Sequence, residues 1–310
     1  MLGNTFGPLP VLAKHQQELG GLTYNIAKDL AKRLGSPEVV FHYTDSKALL
    51  GILGDELRAT HIGFMEDGSK YLHGVNLLTT AIEVMHKKMP PGPRKQFAAH
   101  VIQQLELTSI ENMPTLFVAC FTSAEDSYPH WKNYGRAEGG FSIGFDTLQL
   151  AKQVTATGHG MFAPVVYKER HQRELVGLIA NLLFETWEKH IAEIPVQQQQ
   201  AYSAAWLESF FAYFSGFAAI TKGQNFVDEA EHRLVFSTHG TVDQIIFDPK
   251  PHVLSGYVAP QLGKLPIHSV RVGPGTYQRN NVTALKGYFL QKGIKEDDIR
   301  IRVSSHRKIT

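Results

Sequence analysis

Two long helix-forming segments, residues 169–191 and 196–222, follow one another with no strand between them. Both repeat apolar residues at helical spacing, and both are rich in Leu, Phe, Tyr and Trp. Short segments with the composition of β-strands precede and follow this helical block. Because helices and strands occur in separate runs, the sequence predicts an α+β fold rather than a doubly wound parallel sheet.

Residues 1–36 are predicted to form an N-terminal helix, because leucine and isoleucine recur at near-helical spacing until Gly35-Ser36-Pro37 ends the pattern. Residues 37–310 are predicted to form a single domain, in which residues 169–222 are a helical insertion packed against the sheet. With 310 residues and 43% apolar content, the chain can bury the core of one large domain or of two small ones.

Composition excludes several classes of protein. The formal net charge of +2 gives no strong overall field for binding nucleic acid. The single cysteine, Cys120, excludes an internal disulfide framework and any multi-cysteine metal site. Four histidines (residues 73, 86, 100 and 130) lack metal-ligand spacing, so no metal is expected. The longest apolar stretch, residues 210–220, is too short to span a bilayer, and no signal peptide is evident. The sequence therefore predicts a cytoplasmic protein with no membrane partner.

Three predicted strands bear chemically distinctive residues. The first is Val39–Tyr43, followed by Asp45 as a candidate N-cap of a helix over residues 46–53. The second covers residues 115–121 and leads to a short helix with Trp131 and Tyr134, and the third covers residues 229–236. Further strands are predicted at residues 57–60, 140–145, 162–167, 242–247, 252–258, 268–272 and 299–303, and further helices at 72–89, 94–107 and 280–292.

Motifs on these segments form a pattern that spans most of the chain from about residue 38. They are Phe41-His42-Tyr43-Thr44, Cys120-Phe121-Thr122-Ser123, Trp131 with Tyr134, residues 140–146, residues 229–236, residues 270–274 and Ser304-Ser305. Together they resemble a widespread, mostly bacterial family of unknown function. The sequence departs from that pattern at Lys70, where an acidic residue is expected, and after the C-terminal serine, where His306 replaces proline.

That family is in turn similar to the ADP-ribosyltransferase fold. His42 and Thr44 resemble the NAD-binding strand of its diphtheria-toxin-like branch, and Cys120-Phe121-Thr122 with Tyr134 resembles the second strand and its stacking tyrosine. Residues 231–236 resemble the glutamate strand of the branch. The resemblance implies an ADP-ribosyltransferase-like mixed sheet with NAD as the substrate. The residues predicted to bind NAD are His42, Tyr43, Thr44, Arg58, Phe121, Thr122, Trp131 and Tyr134, and those predicted to be catalytic are Glu231 and Glu229.

The carboxylates suit the cleavage of NAD. Breaking the nicotinamide–ribose bond passes through an oxocarbenium-like state, which a carboxylate bonded to the ribose hydroxyls stabilises. Glu231 is the candidate, and Glu229 at i−2 shares its face if the strand is regular there. One carboxylate would hold the ribose while the other orients or deprotonates an acceptor. The alternative is a strand edge on which Glu231 pairs with Arg233 of the same face.

Residues 42 and 44 project to one face of their strand, and Tyr43 projects to the other. An imidazole and a hydroxyl on one face can bond to ribose hydroxyls or to the phosphate side of a dinucleotide. The alternative for His42 is a buried histidine whose hydrogen bonds are satisfied by the backbone. Asp45 is assigned to helix capping rather than to catalysis.

The remaining candidates are aromatic residues and one arginine. The nicotinamide ring of NAD⁺ is a cation, which an aromatic face attracts. Tyr134 is the first candidate for that platform, with Phe121 or Trp131 on the other side of the ring. The alternative for Trp131 is packing in the core. Arg58 is predicted either to contact a phosphate or to lie at the surface.

These residues predict an enzyme that transfers ADP-ribose from NAD, or hydrolyses NAD, with a protein or nucleic-acid acceptor that the sequence does not identify. By analogy with bacterial relatives of the fold, a toxin or anti-phage effector with a neutralising partner protein is expected, and oligomerisation is possible. One alternative is a non-catalytic protein-binding module on the same fold. Another is an enzyme like the RNA 2′-phosphotransferases, which would need basic residues along its groove.

Overall fold

A computed structural model describes residues 10–64, 68–108, 116–135, 140–158, 160–237, 245–249, 254–295 and 297–306. The helices are α1 (Pro10–Leu34), α2 (Ser46–Leu53), α3 (Gly68–Lys88), α4 (Pro93–Glu106), α5 (Tyr128–Tyr134), α6 (Thr147–Ala156), α7 (Glu169–Ile191), α8 (Gln199–Ala219) and α9 (Gln278–Lys292). The strands are β1 (Val39–Thr44), β2 (Ala59–His61), β3 (Leu116–Thr122), β4 (Phe141–Asp146), β5 (Gly160–Pro164), β6 (Glu231–Ser237), β7 (Ile246–Pro249), β8 (Leu254–Val258), β9 (Ile267–Val272) and β10 (Arg300–Val303). Short 3₁₀ helices cover Ile62–Phe64, Val196–Gln198 and Gln224–Glu229.

Contacts between residues divide the chain into two compact units. The helical unit comprises the described residues of Met1–Arg33, Ile62–Leu116 and Val166–Gln224, and the sheet unit those of Leu34–His61, Phe117–Val165 and Asn225–Thr310. The predicted insertion, residues 169–222, corresponds to α7 and α8 of the helical unit. The division predicted from the sequence, residues 1–36 and 37–310, stays a prediction.

Aromatic side chains form much of the core of the helical unit. Phe97 of α4 stacks on Trp187 of α7, with ring centroids 4.2 Å apart. Phe210 and Phe214 of α8 are both buried and stack on each other. At Gly74 of α3 a Cβ atom would lie 2.6 Å from the Cα of Ala218, so only glycine allows α3 to approach α8 this closely. Within the described ranges, no helix has both the length and the apolar composition that crossing a bilayer requires.

The sheet unit contains one mixed sheet. Its strand order is β10-β9-β4-β1-β3-β2-β8-β7, and β6 pairs with β3 and with β5. β9 and β10 are parallel, whereas β1 is antiparallel to both β3 and β4. A helix follows each of β1 to β5, so the separate runs of helices and strands that the sequence suggests are present only from β6 to β9. The sheet combines parallel with antiparallel strands, unlike a doubly wound parallel sheet. The predicted α+β class is therefore confirmed.

The two faces of this sheet are covered by different residues. The main hydrophobic cluster includes Val40 of β1, Phe121 of β3 and Leu234 of β6, together with residues of α2, α6 and α9. We call the side of the sheet that faces this cluster the core face. On the other side, Phe41 and Tyr43 pack against Trp131 of α5, and we call that side the α5 face. Residue alternation along each strand assigns every side chain to one of these faces.

Several element boundaries differ from the prediction. The sequence does not predict α6, which begins after Asp146 caps it by accepting a hydrogen bond from the amide of Gln149 (2.7 Å). The strand predicted at residues 162–167 is Gly160–Pro164, and the one predicted from residue 229 begins at Glu231. Residues 242–244 and 252–253 of two other predicted strands, residue 115, and the side chain of Lys70 lie outside the described residues.

A partly buried carboxylate, that of Asp126, ties the C-terminal segment of the sheet unit to the loop after β3. Asp126 Oδ1 accepts hydrogen bonds from Trp131 Nε1 and from Ser304 Oγ, both at 2.7 Å. Its Oδ2 accepts from the amide of Ser305 at 2.9 Å. Burial by itself raises the pKa of Asp126, but these hydrogen bonds outweigh burial and bring the pKa to about 2. We refer to these four residues as the Asp126 network.

Replacing Asp126 by Asn should lower the free energy of unfolding by about 2 kcal/mol at pH 7, the energy equivalent of its pKa shift. The folded pKa lies below the ordinary value of 3.8, so this stability is present above about pH 4 and is lost as the pH falls toward 2. Urea denaturation at pH 7 and at pH 3 measures the free energy of unfolding of wild type and variant. The difference between the two proteins at pH 3 should be roughly half of the difference at pH 7.

Asp29→Asn is the control, because Asp29 pairs with Arg33 on the surface of α1. It should change stability little at either pH. A difference between wild type and Asp126→Asn that is the same at pH 7 and pH 3 would exclude the carboxylate charge as its cause.

Candidate active site

The sheet places the three predicted segments side by side. β3 lies between β1 and β6. Phe41 of β1 pairs with Thr122 of β3, and on the other side the amide of Ser123 donates to the carbonyl of Ala230 at 3.1 Å. Strands that are separated by 78 residues or more in the sequence therefore meet at the C-terminal end of β3.

Glu231, the first residue of β6, is 6% exposed. Its two carboxylate oxygens accept hydrogen bonds from one arginine: Arg233 Nε donates to Oε1 at 2.8 Å, and Arg233 Nη2 donates to Oε2 at 3.0 Å. Arg233 is 1% exposed. The pair expected as the alternative to a catalytic role is thus present, and it is internal rather than at a solvated edge. It holds the carboxylate in one orientation.

Glu229 is not on the strand, which corrects the expectation that it shares a face with Glu231. It ends the 3₁₀ helix Gln224–Glu229, and Ala230 follows with φ of 45°, in the left-handed region. That conformation interrupts the alternation on which the i−2 relationship depends. The carbonyl of Glu229 accepts a hydrogen bond from Thr122 Oγ1 at 2.8 Å, which fixes the turn before β6 to the end of β3.

His42 connects β1 to β3 through its side chain. Nδ1 lies 2.8 Å from the carbonyl oxygen of Cys120. Because a carbonyl only accepts, Nδ1 must carry the hydrogen, and Nε2 of the neutral ring is an acceptor. The ring keeps some solvent exposure, yet burial lowers the pKa of His42. The imidazole is therefore neutral near pH 7, and its hydrogen bond connects β1 to β3.

His42 and Glu231 point to opposite faces of the sheet. His42 lies two residues after Val40 and its ring centroid is 5.5 Å from that of Phe121, so it is on the core face. Glu231 and Arg233 alternate with Leu234, so they are on the opposite side, the α5 face. Adjacent strands therefore bring the two segments together, while residue alternation separates the two side chains.

Tyr43 and Trp131 have structural contacts on the α5 face. The hydroxyl of Tyr43 donates to the carbonyl of Ala124 and accepts from the amide of Ser127, both at 2.9 Å. Burial raises the pKa of Tyr43 to about 12, so the hydroxyl stays protonated. Trp131 is completely buried. At Gly273 a Cβ atom would lie 2.8 Å from its ring. Both side chains hold α5 against β1 and are enclosed by protein rather than open to a ligand.

The other predicted ligand-binding residues differ in exposure. Tyr134, the last residue of α5, is 51% exposed, and its ring centroid is 6.1 Å from that of His130. Phe121 packs between Phe145 and Phe162 in the core. Thr44 and Thr122 are buried. Arg58 donates from Nε to Glu56 at 2.7 Å, and its guanidinium lies 4.5 Å from the ring centroid of Tyr257. Tyr134 is therefore the candidate aromatic residue with an accessible ring.

Comparison with known proteins gives one match. A family model described as "Protein of unknown function (DUF2971)" matches residues 130–234. The matched segment begins in α5 and ends in β6, so it contains both Tyr134 and Glu231. It supports the resemblance to a family of unknown function. Searches of curated proteins and of solved structures found no match.

Removing Arg233 should destabilise the protein strongly. In Arg233→Met the carboxylate of Glu231 loses its bidentate partner while it stays buried, which is expected to cost about 3–5 kcal/mol of unfolding free energy. The double variant Glu231→Leu/Arg233→Met should recover much of that loss, because both charges of the pair are then absent. Chemical denaturation of wild type and both variants, monitored by circular dichroism, measures these unfolding free energies.

Arg58→Met is the matched control. Arg58 and Glu56 have the same two-residue spacing and the same Nε–Oε1 contact as the internal pair, but both side chains are more than a third exposed. Loss of this surface pair should lower the free energy of unfolding by less than about 1 kcal/mol. If Arg233→Met is no more destabilising than Arg58→Met, the internal pair makes no special contribution to stability.

Proposed function

We propose that the protein cleaves the nicotinamide–ribose bond of NAD and transfers ADP-ribose to an acceptor or to water. Glu231 is the carboxylate that stabilises the ribosyl cation. One observation carries the proposal: a buried carboxylate, held by two hydrogen bonds from Arg233, begins a strand that adjoins the strand pair β1–β3. No metal is needed for this reaction, since NAD is the substrate and already contains a cationic leaving group.

The reaction balances with the groups available. The bond between C1′ and the pyridinium nitrogen breaks, and its electron pair leaves with nicotinamide, which becomes neutral. Positive charge then develops on the ribose ring, and a carboxylate bonded to the ribose hydroxyls stabilises it. A lone pair of the acceptor forms the new bond to C1′, and the acceptor loses its proton to a base. A carboxylate that is already oriented needs no reorganisation at that moment.

Other residues are assigned by the face that they share with Glu231. Tyr134 belongs to α5, which covers this face of β1, and its exposed ring suits the nicotinamide cation. Glu229 does not share that face by strand alternation, but it ends the 3₁₀ helix immediately before β6 and is the candidate base for the acceptor. His42 points to the core face, so we assign it a positioning role, in which its bond to Cys120 fixes β1 on β3. This differs from the direct NAD contact that the sequence suggests for His42.

The acceptor and the biology are extensions of the same proposal. A protein or a nucleic acid is the expected acceptor, and water replaces it in a glycohydrolase. By analogy with relatives of the fold, ADP-ribosylation by this chain would arrest growth as a toxin or as an anti-phage effector, under control of a neutralising partner protein.

Purified protein incubated with NAD and a cell extract as the source of acceptor should release nicotinamide, measured by liquid chromatography. Glu231→Gln should reduce the rate by at least about 100-fold, as expected when one preorganised group that stabilises developing charge is lost.

Tyr134→Ala should raise KM for NAD more than it lowers kcat, because the stacking contact is made in the ground state. His42→Gln should lower the free energy of unfolding and leave KM unchanged.

Glu174→Gln is the control, because Glu174 pairs with Arg170 on the exposed surface of α7. Undiminished release by Glu231→Gln would refute the assignment of Glu231. Wild-type protein that releases no nicotinamide with any acceptor would favour the non-catalytic binding module. Release only with a 2′-phosphorylated RNA would favour the phosphotransferase alternative.

A further inference from the structure

Two imidazoles stack on each other where α1 packs against α7 in the helical unit. His15 is on α1 and His190 is at the C-terminal end of α7, with ring centroids 3.5 Å apart and ring planes at 14°. The two residues are 1% and 2% exposed. Neither residue has a role in the proposed reaction, and a buried stack of two rings that titrate near neutral pH suggests a response to pH.

The attachment of α1 to its neighbours depends mainly on side chains. α3 packs closely on α4, α7 and α8, whereas the backbone of α1 stays farther from the other helices. The buried residues of α1 form one stripe along the helix and comprise His15, Leu19, Thr23 and Leu30. Only two of these four are aliphatic, so the stripe gives α1 a small hydrophobic contact. A change at His15 therefore affects a substantial part of the contact.

The His190 ring is placed for the neutral form. Glu18 Oε2 lies 3.1 Å from His190 Nε2, and a carboxylate only accepts, so the hydrogen of the neutral ring belongs on Nε2. Within the described ranges, Nδ1 of His190 has no hydrogen-bond partner. A further proton would therefore be buried on Nδ1 without an acceptor, which is unfavourable.

His15 is in a similar position. Its Nδ1 lies 2.9 Å from the hydroxyl of Tyr202 on α8, and burial raises the pKa of that hydroxyl, so it stays neutral. Its Nε2 lies 3.8 Å from Glu193 Oε2, which is too far for a hydrogen bond. Protonation of the buried His15 ring would thus gain only a distant carboxylate whose side chain is 55% exposed.

The charged groups around the two rings do not compensate for added protons. They are Lys14 and Glu18 of α1, Lys189 of α7 and Glu193 in the turn after α7. Two cations and two anions give these groups no net charge. Glu18 is moreover already paired with Lys189, whose Nζ lies 2.7 Å from Oε1. Two imidazolium rings in this stack would therefore repel each other with little relief from their surroundings.

We propose that the stacked pair couples the docking of α1 to pH: α1 is docked while both imidazoles are neutral and is released from α7 and α8 when both take up protons. Release separates the two rings, which ends the repulsion between them, and it also admits water to each imidazolium. The stack is thus a switch built into the contact between α1 and the rest of the helical unit.

The direction of the pH dependence follows from the pKa values. Burial is the main cause that lowers the pKa of both docked rings below the ordinary value of 6.5, and His190 lowers that of His15 further. Released rings return to ordinary values. Docking is therefore fully favoured above about pH 6.5 and is lost as the pH falls from there toward the lowered pKa values. Uptake of two protons raises the equilibrium constant for release by at most about 100-fold for each pH unit.

Hydrogen exchange of the full chain, followed by mass spectrometry, tests this proposal. Labelling times are scaled to the intrinsic exchange rates at pH 7.5 and pH 5.5, so that the remaining difference reports on structure. The protection of peptides from α1 should fall by at least about tenfold between the two conditions, whereas peptides from α9 of the sheet unit should keep their protection. Equal loss of protection in α1 and α9 would indicate general acid unfolding and would contradict a local switch.

Two variants remove one titrating ring each. His190→Phe keeps an aromatic ring stacked on His15, and His15→Gln keeps a polar group beside Tyr202. With one proton fewer to take up, each variant should show about half of the wild-type change in α1 protection on a logarithmic scale, or less. If one variant does not fold, the other gives the same comparison.

His100→Gln is the matched control, because it removes an exposed histidine of α4. It should reproduce the wild-type response. Constant protection of α1 in wild type between pH 7.5 and pH 5.5 overturns the proposal, and so does the same loss of protection in wild type, His190→Phe and His15→Gln. Neither result depends on NAD cleavage, so the switch and the proposed activity are tested separately.

Discussion

The carboxylate of Asp126 is the interaction on which the architecture of the sheet unit depends. It accepts hydrogen bonds from the side chain of Trp131, 5 residues later, and from Ser304 and Ser305, almost 180 residues later. The indole N–H of Trp131 is completely buried and would be costly to leave without a partner. One carboxylate thus positions α5 and anchors the chain after β10. Arg271 and Arg302 bind the adjacent Glu125 and extend this set of charged contacts.

Much of the sheet can be predicted from the sequence, because local patterns decide it. Alternation on β1 correctly separates Tyr43 from residues 42 and 44, and the capping role of Asp45 is confirmed by its hydrogen bond from the amide of Ala48. The predicted pair of Glu231 with Arg233 also follows from i,i+2 spacing on a strand. In each of these cases the interacting residues are close in sequence.

The features that the sequence does not predict depend on distant residues or on unusual backbone. Ala230 has a positive φ although it is not glycine, so the residue type does not predict the change of backbone direction between Glu229 and β6. In the sequence Asp126 resembles an ordinary loop aspartate, and its hydrogen bonds with Ser304 and Ser305 depend on the tertiary fold. The rings of His15 and His190 stack on each other, but the two residues are far apart in the sequence and no motif links them. Strand alternation then reverses one functional expectation: β1 and β6 have a common neighbour, but His42 and Glu231 face opposite sides.

That separation of faces constrains any chemistry at Glu231. A ligand that contacts this carboxylate must lie on the side of α5, where Tyr43 and Trp131 already fill the space over β1. On that side Tyr134, the last residue of α5, is 51% exposed. The ion pair adds a second constraint, since Arg233 occupies one lone pair of each carboxylate oxygen of Glu231. The same arginine that makes the buried charge tolerable therefore also fixes the orientation of the carboxylate in the sheet.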